Sequence, residues 1–363
     1  MAEYNWPDRA STSVLGGSHE KIDARAKCTG EAKYSYDINP EKMLLARVLG
    51  CPHAHCKLKS IDLSAAEKVK GVHKVQALKK PGDEISWQGD LVAVVVGETE
   101  GATAEGVAAV KADYDLLDVF VNEEDLAAAE AAGRTSKPGG KVVLKNEPGD
   151  NDDEKEFAEK ELARLFKAAA AVVEGYYGIS AITHMCLEPH GSTCDWKDGK
   201  LTAHLSTQAV SSTAIAFAAP LSITADDVTV HCDYIGGGFG SKFAADTWGV
   251  LAAKLSKELN RPVKLMLDRD LELKNAGARP SAFAKVKIGA DSEGVITVSD
   301  TNYWSSPGFS GGAVDQGVVP YVIVPPNYRR LVTPIKTNAG PSRAWRAPNH
   351  PQACAISQTA IDD

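Results

Sequence analysis

The chain has 363 residues, with 40 Lys and Arg against 48 Asp and Glu, a formal charge of −8. This acidic balance excludes a surface built for phosphate backbones, so no nucleic-acid partner is expected. Hydrophobic residues at 44% and charged residues at 24% exclude a disordered chain, and the length allows two domains and a large core.

No apolar run approaches the ~18 residues of a membrane span. Met1–Arg9 lacks a charged stretch followed by an apolar core, so a cytoplasmic location is expected. Seven cysteines, at 28, 51, 56, 186, 194, 232 and 354, include no Cys-x-x-Cys pair and make no secreted disulfide framework. Cys51-x4-Cys56 begins the plant-type iron–sulfur spacing, but the next ligand falls on Lys59.

In chain order, residues 1–20 read as a polar arm broken at Gly16-Gly17-Ser18. Leu44–Leu49 and Lys57–Leu63 read as strands. Ser64–Lys70 reads as helical with Ser64 a candidate N-cap. Leu91–Val96 is a continuous apolar run, as in a buried strand. A helix is predicted over Thr103–Lys111 and a strand over Tyr114–Val121. Residues 122–160 turn rich in Ala, Glu, Gly and Lys and end in the acidic run Gly149–Glu154, the pattern of a solvated linker or excursion. Glu156–Ala170 carries a helical apolar stripe. Strands then follow at Ala171–Tyr177, Leu201–Thr207, Val228–Tyr234, Pro262–Leu267, Ala284–Ile288 and Val295–Tyr303, with helices at Ser211–Ala219 and Lys242–Leu259. Cys354–Asp363 reads as a helix in progress, which suggests a fragment or half of a split subunit. The mixture predicts α+β architecture, in which strands alternate with short helices in mixed α/β units.

The strongest chemical signal is Tyr234-Ile-Gly-Gly-Gly-Phe-Gly-Ser-Lys-Phe243, placed between a strand and a helix. Glycines let a ligand approach the backbone, and a helix N-terminus offers unpaired N–H groups to an anion. The run fits neither the dinucleotide fingerprint nor the phosphate loop; the plainer reading is a tight turn with nothing bound. Gln208 ends a strand and can donate to a ligand, or simply cap. Arg346, beside Trp345 and between Pro341 and Pro348, suits carboxylate or carbonyl recognition, or lies on the surface. His53 and His55 share a face in a strand, which permits chelation, but no further ligand lies near in sequence. His184, Glu188 and His190 lack zinc-peptidase spacing and read as structural hydrogen bonding.

Taken together, these segments resemble the molybdenum-binding subunit of the xanthine dehydrogenase and aldehyde oxidase hydroxylases. The likeness rests on Gly30–Asp37, Pro52–His55, Leu187–His190 with Trp196, Ser206–Gln208, Gly236–Lys242, Arg261–Lys264, Pro325–Tyr328 and Thr337–Gln352, in that order. It implies an arm at 1–20, an α/β hammerhead domain at 21–125, an acidic linker at 126–160 and the first part of a molybdenum-cofactor domain at 161–363, with the second part outside this sequence.

The resemblance also assigns roles. Gln208 hydrogen-bonds an oxo ligand of molybdenum. Gly237, Gly238, Phe239 and Gly240 hold the cofactor through their backbone, with Gln208 and Phe239 meeting the metal through its own ligands. Arg346 binds substrate and stabilises charge developing on it. It implies a molybdenum–pterin cofactor, the cytosine dinucleotide form being one form open to it. Iron–sulfur clusters and FAD sit on partner subunits of a heterotrimer. A C-terminal half supplies the catalytic Glu, to which no residue here corresponds. The implied reaction hydroxylates an aldehyde or aromatic heterocycle with water as oxygen source. Phe243 stands where purine hydroxylases carry Glu, which disfavours xanthine. The alternative is a non-catalytic scaffold or assembly protein that keeps the fold.

Overall fold

A computed structural model describes residues 5–149, 153–310 and 316–363. Its centre is a seven-stranded sheet, in the order Val228–His231, Lys200–Leu205, Gly191–Lys197, Val263–Met266, Leu44–Gly50, Leu91–Gly97 and Val72–Ala77. Leu91–Gly97 is buried along its whole length. Its β-branched side chains suit a central strand, and both neighbours run antiparallel to it. Leu44–Ala46 pair in parallel with Val263–Leu265, so early and late segments share one sheet.

The helix Asp246–Leu259 covers this sheet over Gly191–Lys197 and Val263–Met266 and buries Trp248, Ala252, Ala253 and Leu255. Each large apolar side chain so placed contributes ~1.5–3 kcal/mol. A five-stranded sheet is ordered Gly139–Val143, Asn327–Pro334, Ile296–Ser305, Ala282–Ala290, Ala171–Ile179. The helix His350–Asp362 lies on it, burying Ala353, Ile356 and Ala360. Glu84–Ile85, Cys56–Asp62 and Lys111–Leu116 form a three-stranded sheet.

Several expectations change. Ser64 caps nothing: a 3-10 turn at Ala66–Lys68 replaces the helix, with Ala65 at its N-cap. The next helix starts earlier, at Glu100–Ala109, because Thr99 accepts from the Ala102 amide. Lys111 then already belongs to the strand Lys111–Leu116. The stretch expected as a solvated linker carries the helix Leu126–Ala131 and the edge strand Gly139–Val143, which pairs with Tyr328–Val332. Its acidic run lies partly outside the described residues, at 150–152. The strands Val72–Ala77, Gly191–Lys197 and Asn327–Pro334 and the helix Arg269–Asn275 had no clear sequence signal. The terminal helix begins at His350, four residues before the apolar pattern, and the sheet covers its apolar face.

Candidate functional site

Gln208 follows the strand Lys200–Leu205 and precedes the helix Val210–Leu221. Its backbone amide donates to the Lys242 carbonyl at 2.7 Å, and its Oε1 accepts the Gly240 amide at 2.7 Å. The 343–347 segment closes on the same loop, where the Arg346 amide donates to the Phe239 carbonyl at 2.7 Å. These three bonds bring Gln208, the glycine run and Arg346 together from three distant parts of the chain.

The glycines serve this closeness. Gly240 has φ +110°, and a Cβ there would lie 2.3 Å from the Ala344 carbonyl oxygen. A Cβ on Gly238 would lie 2.5 Å from Gln208 Oε1. Phe239 sits left-handed at φ 53°, an uncommon conformation for a bulky residue, and its ring stays exposed. The helix begins only at Asp246, so the expected helix N-terminus does not open directly from the glycines. Asp246 itself is left-handed at φ 58°, which breaks the helix from the residues before it, and the Lys242 side chain turns inward.

That inward turn builds a charged layer under the loop. Lys242 is 1% exposed and donates to the Glu188 carbonyl at 2.8 Å and Ser206 Oγ at 3.0 Å, with the Glu188 carboxylate 3.9 Å away. Burial pushes its ammonium below the usual lysine range, against the pull of Glu188. The Glu188 carboxylate also accepts from the Gly236 amide at 2.6 Å, the Ser35 amide at 3.1 Å and Ser35 Oγ at 2.6 Å. His190 bridges Ser241 Oγ at 2.9 Å and Glu272 at 3.0 Å, and Arg269 reaches Glu272 at 2.7 Å.

The arginine loop has its own anchors. Arg279 donates to the Arg346 carbonyl at 2.9 Å and lies 4.9 Å over the Trp345 ring. Arg343 reaches the Ser241 carbonyl at 2.9 Å and Asp246 at 2.7 Å. His184 packs tilted against Trp345, with ring centroids 5.2 Å apart, Nε2 2.7 Å from the Ala344 carbonyl and Nδ1 3.2 Å from the Gly277 carbonyl. Burial holds its pKa below the usual histidine value, although the two carbonyls pull upward.

The hydrogen-bonding reading of His184, Glu188 and His190 therefore holds, but they serve different partners. His55 and His53 also diverge: His55 bonds the Asp118 carbonyl at 2.5 Å and Glu84 at 3.0 Å, while His53 packs edge-on to Tyr114. Phe243 is exposed, with its carbonyl 3.5 Å from Ser212 Oγ. Sequence reasoning gave no role to Ser35, Lys242 or Arg343, although they lie in the segments it singled out, and passed over Arg279, since partners far along the chain leave no periodic trace.

The residues left over at the surface fit an acceptor-rich anion. The amides of Gly237, Gly238 and Phe239, Gln208 Nε2 and the exposed Arg346 guanidinium donate to no group among the described residues. The acidic group nearest in the bonding pattern, Glu188, is spent inward on Ser35 and Gly236. Met185, Leu187, Ile235 and Phe239 add exposed apolar surface on the same loops, Leu187 at 89%.

Residues 145–363 match the family description of the molybdopterin cofactor-binding domain, and residues 29–81 that of the aldehyde oxidase and xanthine dehydrogenase a/b hammerhead domain. The chain belongs to this molybdopterin-binding family. The aldehyde oxidoreductase molybdenum-binding subunit PaoC of Escherichia coli K12 is 30% identical over 322 residues, covering 84% of this chain and 42% of that protein. Xanthine dehydrogenase of Dictyostelium discoideum is 28% identical over 371 residues, covering 95% of this chain and 26% of its own length. Among solved structures, the aldehyde oxidoreductase of Desulfovibrio desulfuricans overlays with a TM-score of 0.79 at 21% identity, over 99% of this chain and 42% of that one. Quinoline 2-oxidoreductase of Pseudomonas putida 86 overlays at 0.78 and 20%, over 92% and 46%. The chain thus spans less than half the length of the relatives it matches. The fold is mixed α/β, a hammerhead domain followed by a molybdenum-cofactor-binding domain. No helix among the described residues is long and apolar enough to cross a membrane.

Proposed function

We propose that this chain is the molybdenum-cofactor-binding part of a hydroxylase acting on aldehydes or aromatic heterocycles. The observation that carries it is the junction of Gln208, Phe239–Gly240 and Arg346, whose outward donors are uncommitted while the layer beneath is fully bonded. When bound, a molybdenum–pterin group supplies two-electron redox chemistry with water as oxygen source. The chain's own residues do the rest. Gln208 Nε2 would donate to the bound group, with the Gly240 amide on its Oε1 setting the direction of that donor. The amides of Gly237–Phe239 would hold the group from the loop. Arg346 binds substrate and stabilises negative charge developing on it.

The further parts of this reading rest on the family resemblance. They are iron–sulfur and FAD subunits in a cytoplasmic heterotrimer, a cytosine dinucleotide form of the pterin, and a catalytic Glu from a C-terminal half. The exposed apolar rim at Met185, Leu187 and Ile235 supports a covering surface of that kind. The chain co-produced with that half and the electron-transfer subunits should hold near-stoichiometric molybdenum and reduce dyes with aromatic aldehydes. Stoichiometric metal without turnover of any aldehyde or heterocycle would favour the scaffold alternative, and no metal at all would overturn the reading.

A further inference from the structure

Away from the candidate site, two thiols face each other in the hammerhead region. Cys51 Sγ lies 3.5 Å from Cys56 Sγ, and the residues are 1% and 0% exposed. They pack with Leu58, Ile85 and Val92, and Tyr114 leans on the cluster. No other cysteine pair is in such contact among the described residues: Cys186 meets Ser241, Cys194 the Gly249 carbonyl and Cys232 the Thr207 carbonyl, while Cys28 and Cys354 are exposed.

Their backbones belong to different sheets. Cys51 follows the strand Leu44–Gly50 and is pinned by 2.8 Å bonds from its amide to the Asp90 carbonyl and from the Gly89 amide to its carbonyl. Cys56 opens the strand Cys56–Asp62, in register with Ile85 and Leu116. Only Pro52, His53, Ala54 and His55 lie between them, and all four are exposed or half-buried.

We propose that Cys51 and Cys56 form a redox-responsive dithiol that closes to a disulfide and staples the seven-stranded sheet to the three-stranded one. The sulfurs must approach by about 1.5 Å to reach the ~2.05 Å of a disulfide, so the 52–55 loop must shift against the anchors of His55 on the Asp118 carbonyl and Glu84. The oxidant is a low-molecular-weight disulfide. One cysteine thiolate attacks a sulfur of it, forming a mixed disulfide and releasing one thiol. The second cysteine thiolate attacks that mixed disulfide and releases the other thiol. Two protons leave the cysteines and end on the two released thiols, and the oxidant takes up the two electrons. Burial and the Cys51 neighbour push the Cys56 thiol up to about 12, so the thiolate is scarce near neutral pH and closure is slow there. Neither cysteine touches the loops of Gln208 or Arg346, and the inference does not rest on the molybdenum reading.

Trypsin makes the test direct, because the peptide Val48–Lys57 holds both cysteines and no internal cleavage site. The folded full chain is treated with oxidised glutathione, then denatured, alkylated with iodoacetamide and digested. The expected peptide has lost two hydrogens and carries no alkyl group, and the thermal midpoint of the oxidised protein rises by a few degrees. C56S should show neither change. A doubly alkylated peptide, from a sample in which Cys28 and Cys354 have taken up glutathione, overturns the proposal. So does a peptide that stops at glutathione on one sulfur.

Discussion

The surface of the glycine loop and the layer just beneath it are built on opposite principles. Above, Gln208, Phe239 and Arg346 keep donors uncommitted and leave apolar rings in solvent. Beneath, Lys242, Glu188, His190 and Glu272 are buried, and each has partners within hydrogen-bond reach. The lesson is that a site whose donors must wait for a ligand cannot hold its own shape. Its geometry is set by charges that face the other way. A buried charge is costly to strand, so it resists movement, whereas an exposed donor loses little when its partner is absent.

The sharpest way to break this contrast is to remove the buried cation. Lys242→Met strands the Glu188 carboxylate with only neutral donors and should cost about 3–5 kcal/mol, read by urea unfolding. A loss below about 1 kcal/mol would show that the layer is not what fixes the loop. Next comes the contact between layers. In Gly240→Val a branched side chain meets the Ala344 carbonyl at a positive φ; the backbone strain alone is worth roughly 1–3 kcal/mol. The arginine loop should lift away and molybdenum retention be lost; normal metal content in that variant speaks against the assignment of the loop.

Substitutions at the rim should act on chemistry. Phe243→Glu offers a bound purine a charge-assisted hydrogen bond worth roughly 1.5–3 kcal/mol, so kcat/KM for xanthine relative to an aromatic aldehyde should rise about 10–100-fold. An unchanged ratio removes Phe243 from substrate selection.

Acid should loosen one anchor in a predictable direction. His184 has its folded pKa lowered by burial, so the unfolded chain binds its proton first. Its contribution is therefore complete above about pH 6.5, the unfolded value, and declines as pH falls through the lower folded value. Protection factors of the 343–347 amides, corrected for intrinsic exchange, should fall over that range in the wild type and stay level in His184→Gln. The smallest effect on stability belongs to Arg346→Ala, which should stay within about 0.5 kcal/mol of the wild type while losing turnover. A large stability loss there would mean that Arg346 is structural.

Local signals picked out much of the candidate site. Gly236–Gly240, Gln208 and Arg346 each stand out by residue type and by neighbouring turns, and the resemblance joined them. Their contact could not be read, because bonds from 208 to 240 and from 346 to 239 link segments with no local pattern in common. Glu188 and His190 drew notice as a spacing that fits no metal motif and as part of the resemblance, and Lys242 as the end of the glycine motif and the start of a helix, but none was assigned its buried partners.

The sequence by itself determined the elements whose apolar period is strong. The strands read at Leu44–Leu49 and Leu91–Val96, the body of the helix read at Lys242–Leu259, and the alternation of strands with short helices follow from side chains that need burial on one face or both. Tertiary structure alone decided the rest. Gly191–Lys197 is a central strand made largely of small and polar residues, buried because partners cover both of its edges. Gly139–Val143 became an edge strand because Tyr328–Val332 offered it a ladder. Lys242 turned inward because Glu188 and Ser206 waited there. In each case the deciding energy comes from a partner far along the chain, and a local pattern carries no record of it.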